Sequence, residues 1–347
     1  MENSVASPRG LGSIRRKAVD LSQFNPIRES LLAPDQTLPL ILEPAVENVD
    51  LAEWVRNNRP FVREKISAHG GVLFRGFGLN DAKAFQRVAA GICDELFADY
   101  GDLPRENLAE QVYSSTPYPE DKSILYHNES SHLSRWPARI NFFCLIVARE
   151  GGATPIVDCR KVYQSLDPKI RQQFEEKGLM YVRNFCRGLD VSWQRFFGTD
   201  DKAVVEETCR SAGATCEWIG NNLRTSQRCP AVRRHPVTGE LTFFNQVQLH
   251  HVHCLDPDVL ESLLSLFKRE ELPRNVYYGD GSVIEDSVVD HIGEIYEKHA
   301  VRFQWQQGDL VSLDNMLTAH ARDPYAGERK IVVALGDMLD SASLSKE

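Results

Sequence analysis

Short runs rich in Val, Ile, Leu and Phe recur from one end of this chain to the other, with helical patterns between them in no regular alternation. Gly71–Phe74, Ile140–Val147, Met180–Val182, Leu241–Asn245, Leu310–Leu313 and Ile331–Leu335 read as strands bounded by turn residues. Helices are expected from Asp81 to about Phe97, from Asp167-Pro168 to near Gly178, from Asp256-Pro257 and from Asp286. Asp81 is suited to accept from the free N–H groups of a first turn, and a proline follows the aspartate at two of the other starts. Phe85, Val88, Ala89 and Ile92 repeat at helical spacing in the first, as do Val259, Leu260, Leu263, Leu264 and Phe267 in the third. A doubly wound parallel sheet would need regular strand–helix alternation, and no Gly-rich phosphate loop follows any strand. The expected class is mostly β with flanking helices, built on a double-stranded β-helix (jelly-roll, cupin-like) core.

At 347 residues with 42% apolar side chains, the chain can bury a sizeable core. No internal repeat or low-complexity linker divides it. The expectation is a flexible tail over residues 1–30, one domain over 31–340 and a short tail over 341–347. Pro26–Pro39 reads as loop, with order beginning near Leu40. A net charge of -9 argues against nucleic acid as a partner, and no apolar run is long enough to span a bilayer. Residues 1–23 lack the apolar core of a signal peptide. Arg9, Arg15, Arg16 and Lys17 among serines allow an organellar transit peptide to be read, against which stand Glu2 and the lack of an amphipathic face. Eight cysteines without a C-x-x-C pair suit reduced thiols and a cytoplasmic setting.

The chemistry centres on His127-Asn128-Glu129 and a distant His320. On a strand, residues two apart point to one side, so His127 and Glu129 can face one metal while Asn128 points away or shapes the pocket rim. Two imidazoles and one carboxylate are the minimum set for the facial triad of non-haem Fe(II) oxygenases, which leaves coordination positions open. Thiolates would favour zinc or clusters.

The stretches Tyr126-His127-Asn128-Glu129-Ser130-Ser131-His132, Glu150-Gly151-Gly152-Ala153-Thr154-Pro155-Ile156-Val157-Asp158 and Asp314-Asn315-Met316-Leu317-Thr318-Ala319-His320-Ala321-Arg322, then Gly327-Glu328-Arg329-Lys330, carry a resemblance. Over roughly Gly70 to Asp337 the chain resembles the TauD/TfdA family of taurine dioxygenase-like Fe(II)/2-oxoglutarate oxygenases, nearest its SyrP-like amino-acid hydroxylase branch. That resemblance implies His127, Glu129 and His320 as metal ligands. It implies Thr154 and Arg329 as the residues that hold 2-oxoglutarate, with Fe(II), 2-oxoglutarate and O2 as cofactor and cosubstrates. Arg329 follows His320 more closely than in taurine dioxygenase, so Arg322 is a second candidate for the cosubstrate. Family members that halogenate lack the carboxylate, so Glu129 implies hydroxylation of an unactivated carbon. The substrate implied is an amino acid or amino-acid derivative, free or on a carrier protein, in specialised metabolism. No acid–base residue is required.

Asn128, Arg183, Asn245 and Arg322 are candidate substrate contacts, each weighed against a purely structural role. His132 and Arg135 are candidates for the entrance. Trp193, Trp218 and Trp305 read as packing groups. The rival metal sequence is His250-His251-Val252-His253-Cys254, where His251 and His253 would share a strand face and Cys254 would suit zinc. A zinc hydrolase, or a silent ligand-binding barrel, are the alternatives. A homo-oligomer is expected.

Overall fold

The computed structural model describes residues 25–97, 107–109, 111–114, 118–186 and 190–344. The larger sheet runs in the order Ile27–Ala33, Gln36–Pro44, Gly71–Phe74, Leu310–Asp314, Arg135–Ile146, Lys330–Asp340, Val112–Ser114 and Asn107–Ala109. Its central strands are buried on both faces, and alternation along each strand decides which core a side chain joins. Leu42, Val72, Phe74, Phe143 and Leu310 point to the helices Arg59–His69 and Ala82–Ile92. Ile41, Leu73, Phe142, Val311, Ile331 and Val333 point the other way. Asp81 caps the second of these helices, its carboxylate accepting from the Ala84 N–H at 2.7 Å. Phe85 from that helix stacks on Phe143 at 5.2 Å.

Opposite the larger sheet lies a small one, ordered Ile124–His127, Thr318–Arg322, Ile156–Asp158. The two are separate sheets that face one another, and Phe142 of the large one meets His320 of the small one edge to face at 5.1 Å. The outer face of the small sheet, with Tyr126, Val157, Ala319 and Ala321, is buried beneath the helix Asp286–His299. There Tyr126 stacks on Tyr296 at 5.0 Å. Outside this lies a four-stranded antiparallel sheet in the order Ala214–Ile219, Asn222–Cys229, Leu179–Phe185, Arg274–Tyr278. Phe185, Trp193, Val205, Cys209 and Leu223 give it a core of its own.

Each expected strand and helix is present, with ends moved by a few residues. The Pro26–Pro39 segment corrects the loop expectation: it is most of a hairpin, Ile27–Ala33 against Gln36–Pro44, turning at Pro34-Asp35. Pro39 is tolerated because it lies at a register irregularity and just ahead of the parallel pairing that starts at Leu40↔Val72. The helix Pro257–Leu264 forms, yet none of its residues is buried. No described helix is long and apolar enough to cross a membrane.

Candidate metal and cosubstrate site

His127 and His320 stand directly opposite one another in the antiparallel pairing of their two strands. Directly paired residues carry their Cβ atoms about 4.5–5.5 Å apart on the same face. The two rings accordingly sit 4.2 Å apart between centroids. His320 lies in mid-strand rather than at a strand end, and the pairing brings the two imidazoles together across nearly two hundred residues of chain. His127 Nδ1 is 2.8 Å from the Leu125 carbonyl, and donating there makes Nε2 the nitrogen that could take a metal.

Glu129 departs from expectation. The strand ends at His127, Asn128 is already outside it, and Glu129 sits in a turn with Ser130 at φ 55°. The carboxylate still reaches the histidines, Oε2 lying 3.9 Å from His320 Nε2. One ligand atom from each of the three residues lies within 4.8 Å of the others, the sole such group among the described residues. Burial pushes the Glu129 carboxyl up to about 7, a cost that a divalent cation would offset. Two imidazole nitrogens and one carboxylate oxygen, with no thiol, suit ferrous iron.

The three residues open onto a cavity walled by Phe142, Ile331 and Val333 and reaching Thr154 and Arg329. Arg329 donates from Nε to the Gly152 carbonyl at 2.9 Å and from a terminal nitrogen to Thr154 Oγ at 3.3 Å. No carboxylate among the described residues pairs with it. Burial, with the charge of Arg322 beside it, pushes its guanidinium down to about 10. A half-buried cation with no carboxylate beside it can seat an anion. The Thr154 hydroxyl also accepts from Trp305 Nε1 at 3.1 Å. Two donors on its oxygen leave its own proton for a ligand. Gly152 makes room for this arrangement: at φ 70°, a Cβ there would fall 2.9 Å from Arg329 Cδ.

The remaining candidates are placed differently. Arg322 lines the cavity, but its guanidinium donates to the carbonyls of Tyr118, Pro119 and Lys122 and so holds the chain. Asn128, fully buried, donates to the Asn315 carbonyl at 2.7 Å and accepts from the Asn245 N–H at 3.1 Å. Asn245 in turn accepts from the Val247 N–H at 2.9 Å, at the start of a short helix. Neither side chain lines the cavity: the Asn128 carboxamide and the Asn245 oxygen are taken up by backbone groups. Arg183 is likewise not brought to the metal residues: it pairs with Asp190 at 3.0 Å and lies over Phe185 and Phe196.

The His250–Cys254 segment is helix and 3-10 turn, not strand, so its rings diverge. His251 Nε2 meets the Ile284 carbonyl at 3.1 Å, and His253 Nε2 meets Asp290 at 2.7 Å. Burial pushes the Cys254 thiol up to about 12, away from the thiolate that zinc needs. Arg135 is exposed, while His132 lines a separate apolar pocket with Tyr181 and His250. Two contributors escaped the sequence. Trp305 read as packing, and Asn315 lay within a quoted motif without a role.

The family model described as "Taurine catabolism dioxygenase TauD, TfdA family" matches residues 35–335. The chain is 39% identical over 278 residues to the dapdiamide synthesis protein DdaC of Enterobacter agglomerans, covering 80% of this chain and 84% of that one. It is 27% identical to a clavaminate synthase-like protein of Arabidopsis thaliana, covering 90% and 94%. Among solved structures, PvcB of Pseudomonas aeruginosa superposes with a TM-score of 0.56 at 16% identity, covering 95% of this chain and 98% of that one, and shares the fold. The match over most of the length, joined to a buried His-Glu-His cluster and an anion seat in one cavity, places the chain in the taurine catabolism dioxygenase TauD, TfdA family, as an iron- and 2-oxoglutarate-dependent dioxygenase.

Proposed function

We propose that this protein hydroxylates an unactivated carbon of an amino acid or amino-acid-derived substrate in specialised metabolism. The observation that carries the reading is the half-buried Arg329 guanidinium, without a carboxylate partner among the described residues, in the same cavity as His127, Glu129 and His320. DdaC, named for dapdiamide synthesis, supports the biosynthetic setting.

His127, Glu129 and His320 would hold ferrous iron, and Arg329 with the Thr154 hydroxyl would hold the far carboxylate of 2-oxoglutarate. Bound iron with 2-oxoglutarate supplies the chemistry, activating O2 as the cosubstrate is decarboxylated to succinate and CO2. The chain's own contribution is placement. Arg329 grips a carboxylate in two places, Trp305 fixes the Thr154 hydroxyl as a donor, and Phe142, Ile331 and Val333 exclude water from one side. No side chain is needed as acid or base. A full-length Glu129 carboxylate occupies the ligand position that a halide would otherwise take, which favours hydroxylation over halogenation.

The substrate arrives free or on a carrier protein, in a reducing, cytoplasmic setting that suits ferrous iron and the chain's thiols. The decisive experiment incubates the protein with Fe(II), 2-oxoglutarate and a panel of free and carrier-bound amino acids. Succinate release that needs both iron and 2-oxoglutarate, with one oxygen gained by one substrate, is expected. Succinate release unaffected by His127→Ala would sink the reading.

A further inference from the structure

Glu129 is the one member of the metal cluster that no strand holds. The ladder of Ile124–His127 stops before it. Its peptide is nevertheless fixed at both ends, by one side chain. The Asn315 Oδ1 accepts from the Glu129 N–H at 2.8 Å, and the Asn315 Nδ2 donates to the Glu129 carbonyl at 2.9 Å. This carboxamide imitates the peptide unit of an absent neighbouring strand, offering one acceptor and one donor.

Asn315 is itself held hard. It has no solvent exposure, its Nδ2 also donates to the Pro137 carbonyl at 2.8 Å, and its N–H donates to the Ala138 carbonyl at 3.0 Å. Its own carbonyl accepts from Asn128 Nδ2, so the residue before Glu129 is tied to the same point. The Gln246 side chain then takes the Asn128 carbonyl at 3.0 Å. On the other side, the turn carrying Asn315 is pinned by the Asp314 carboxylate, which accepts from the Met316 and Leu317 N–H groups at 3.0 and 3.2 Å. Five residues after Asn315 comes His320.

We infer that Asn315 is a positioning residue for the metal centre: its carboxamide sets where the Glu129 carboxylate stands relative to His127 and His320. The inference rests on the metal-ligand reading above. It explains how a ligand in a turn can be as well placed as two ligands in paired strands, since a metal site needs its donors held within about 0.5 Å. Supporting groups of this kind are worth about 10–100-fold in metal affinity.

The test uses the full-length protein and two probe ions, Mn(II) for affinity by electron paramagnetic resonance and Co(II) for its visible ligand-field spectrum. Asn315→Ala should bind Mn(II) at least about ten-fold more weakly and shift the Co(II) bands. Asn184→Ala is the control: Asn184 also clamps two carbonyls, of Glu270 and Leu272 at 2.9 and 2.7 Å, but away from the metal residues. It should lower the melting temperature while keeping the wild-type Co(II) spectrum. A wild-type spectrum and affinity in Asn315→Ala would overturn the inference, as would an equal shift in Asn184→Ala. If Asn315→Ala does not fold, Asn315→Asp carries the same test, because it keeps the acceptor and loses the donors. Wild-type protein that binds neither ion would instead defeat the metal-ligand reading itself.

Discussion

Arg329 and Arg322 lie in one cavity and bond to different partners. Arg329→Gln removes a half-buried cation that has no carboxylate partner among the described residues, so the loss should fall on 2-oxoglutarate binding. Truncating one partner of a buried charge pair costs about 2–4 kcal/mol, on the order of 30- to 1,000-fold in Kd. Calorimetric titration of 2-oxoglutarate into the metal-loaded protein, without O2, measures this. Arg322→Gln should behave differently, leaving three backbone carbonyls short of donors. Its cost should be about 1–3 kcal/mol in urea unfolding, with a much smaller change in cosubstrate affinity. Were the two effects exchanged, the anion seat would belong to Arg322. Gly152→Ala should act on the same seat from the other side, since a methyl group there collides with the Arg329 stem at a backbone angle alanine resists. It should weaken 2-oxoglutarate binding while leaving Mn(II) affinity close to wild type.

At the scale of elements, the turn at residues 314–317 joins the strand Leu310–Asp314 of the large sheet to the strand Thr318–Arg322 of the small one. Burial alone would raise the Asp314 carboxyl. The adjacent Arg139 guanidinium and the His235 ring outweigh it and hold the group down at about 2. With a folded value below the unfolded 3.8, this carboxylate adds stability that is fully present above pH 4 and is lost as the pH falls towards 2. The contribution is on the order of 2 kcal/mol. Asp314→Asn should therefore be less stable than wild type at pH 6, and the gap should narrow by pH 3. Urea midpoints at the two values check this, and a gap that widens would reverse the sign assigned here. Much at this scale was readable beforehand. Strand runs and Asp-capped helices announce themselves by period and by cap, and His127, Glu129, His320, Thr154 and Arg329 stood in motifs. The Asn315 clamp had no such signal, because a side chain that replaces a missing strand obeys no spacing. Pro39 misled for a related reason: only the partner strand reveals that its position needs no N–H. What Asn128 and Asn245 bond to was equally silent, because sequence spacing does not say which way a side chain bonds.

For the molecule as a whole, one metal per chain is expected, held between the two facing sheets. Metal analysis of a His251→Ala/His253→Ala double variant should return that same stoichiometry, and His127→Ala should lose it. The opposite pattern would revive the zinc reading. The pairing of His320 with His127 has a further consequence for how this architecture can change over time. Side chains on a strand alternate faces, so a shift of one residue would present Ala319 or Ala321 to the metal and turn the imidazole outward. A two-residue shift would keep the face but carry the imidazole about 6.6 Å along the strand from its partner, so the register ahead of His320 admits no change. The four-stranded sheet shares Leu179, Tyr181, Val276 and Tyr278 with the core that holds Tyr126 and Ala319, and keeps a second core around Phe185 and Leu223. Lineages descending from this protein are free to rebuild that second core without disturbing the His-Glu-His cluster.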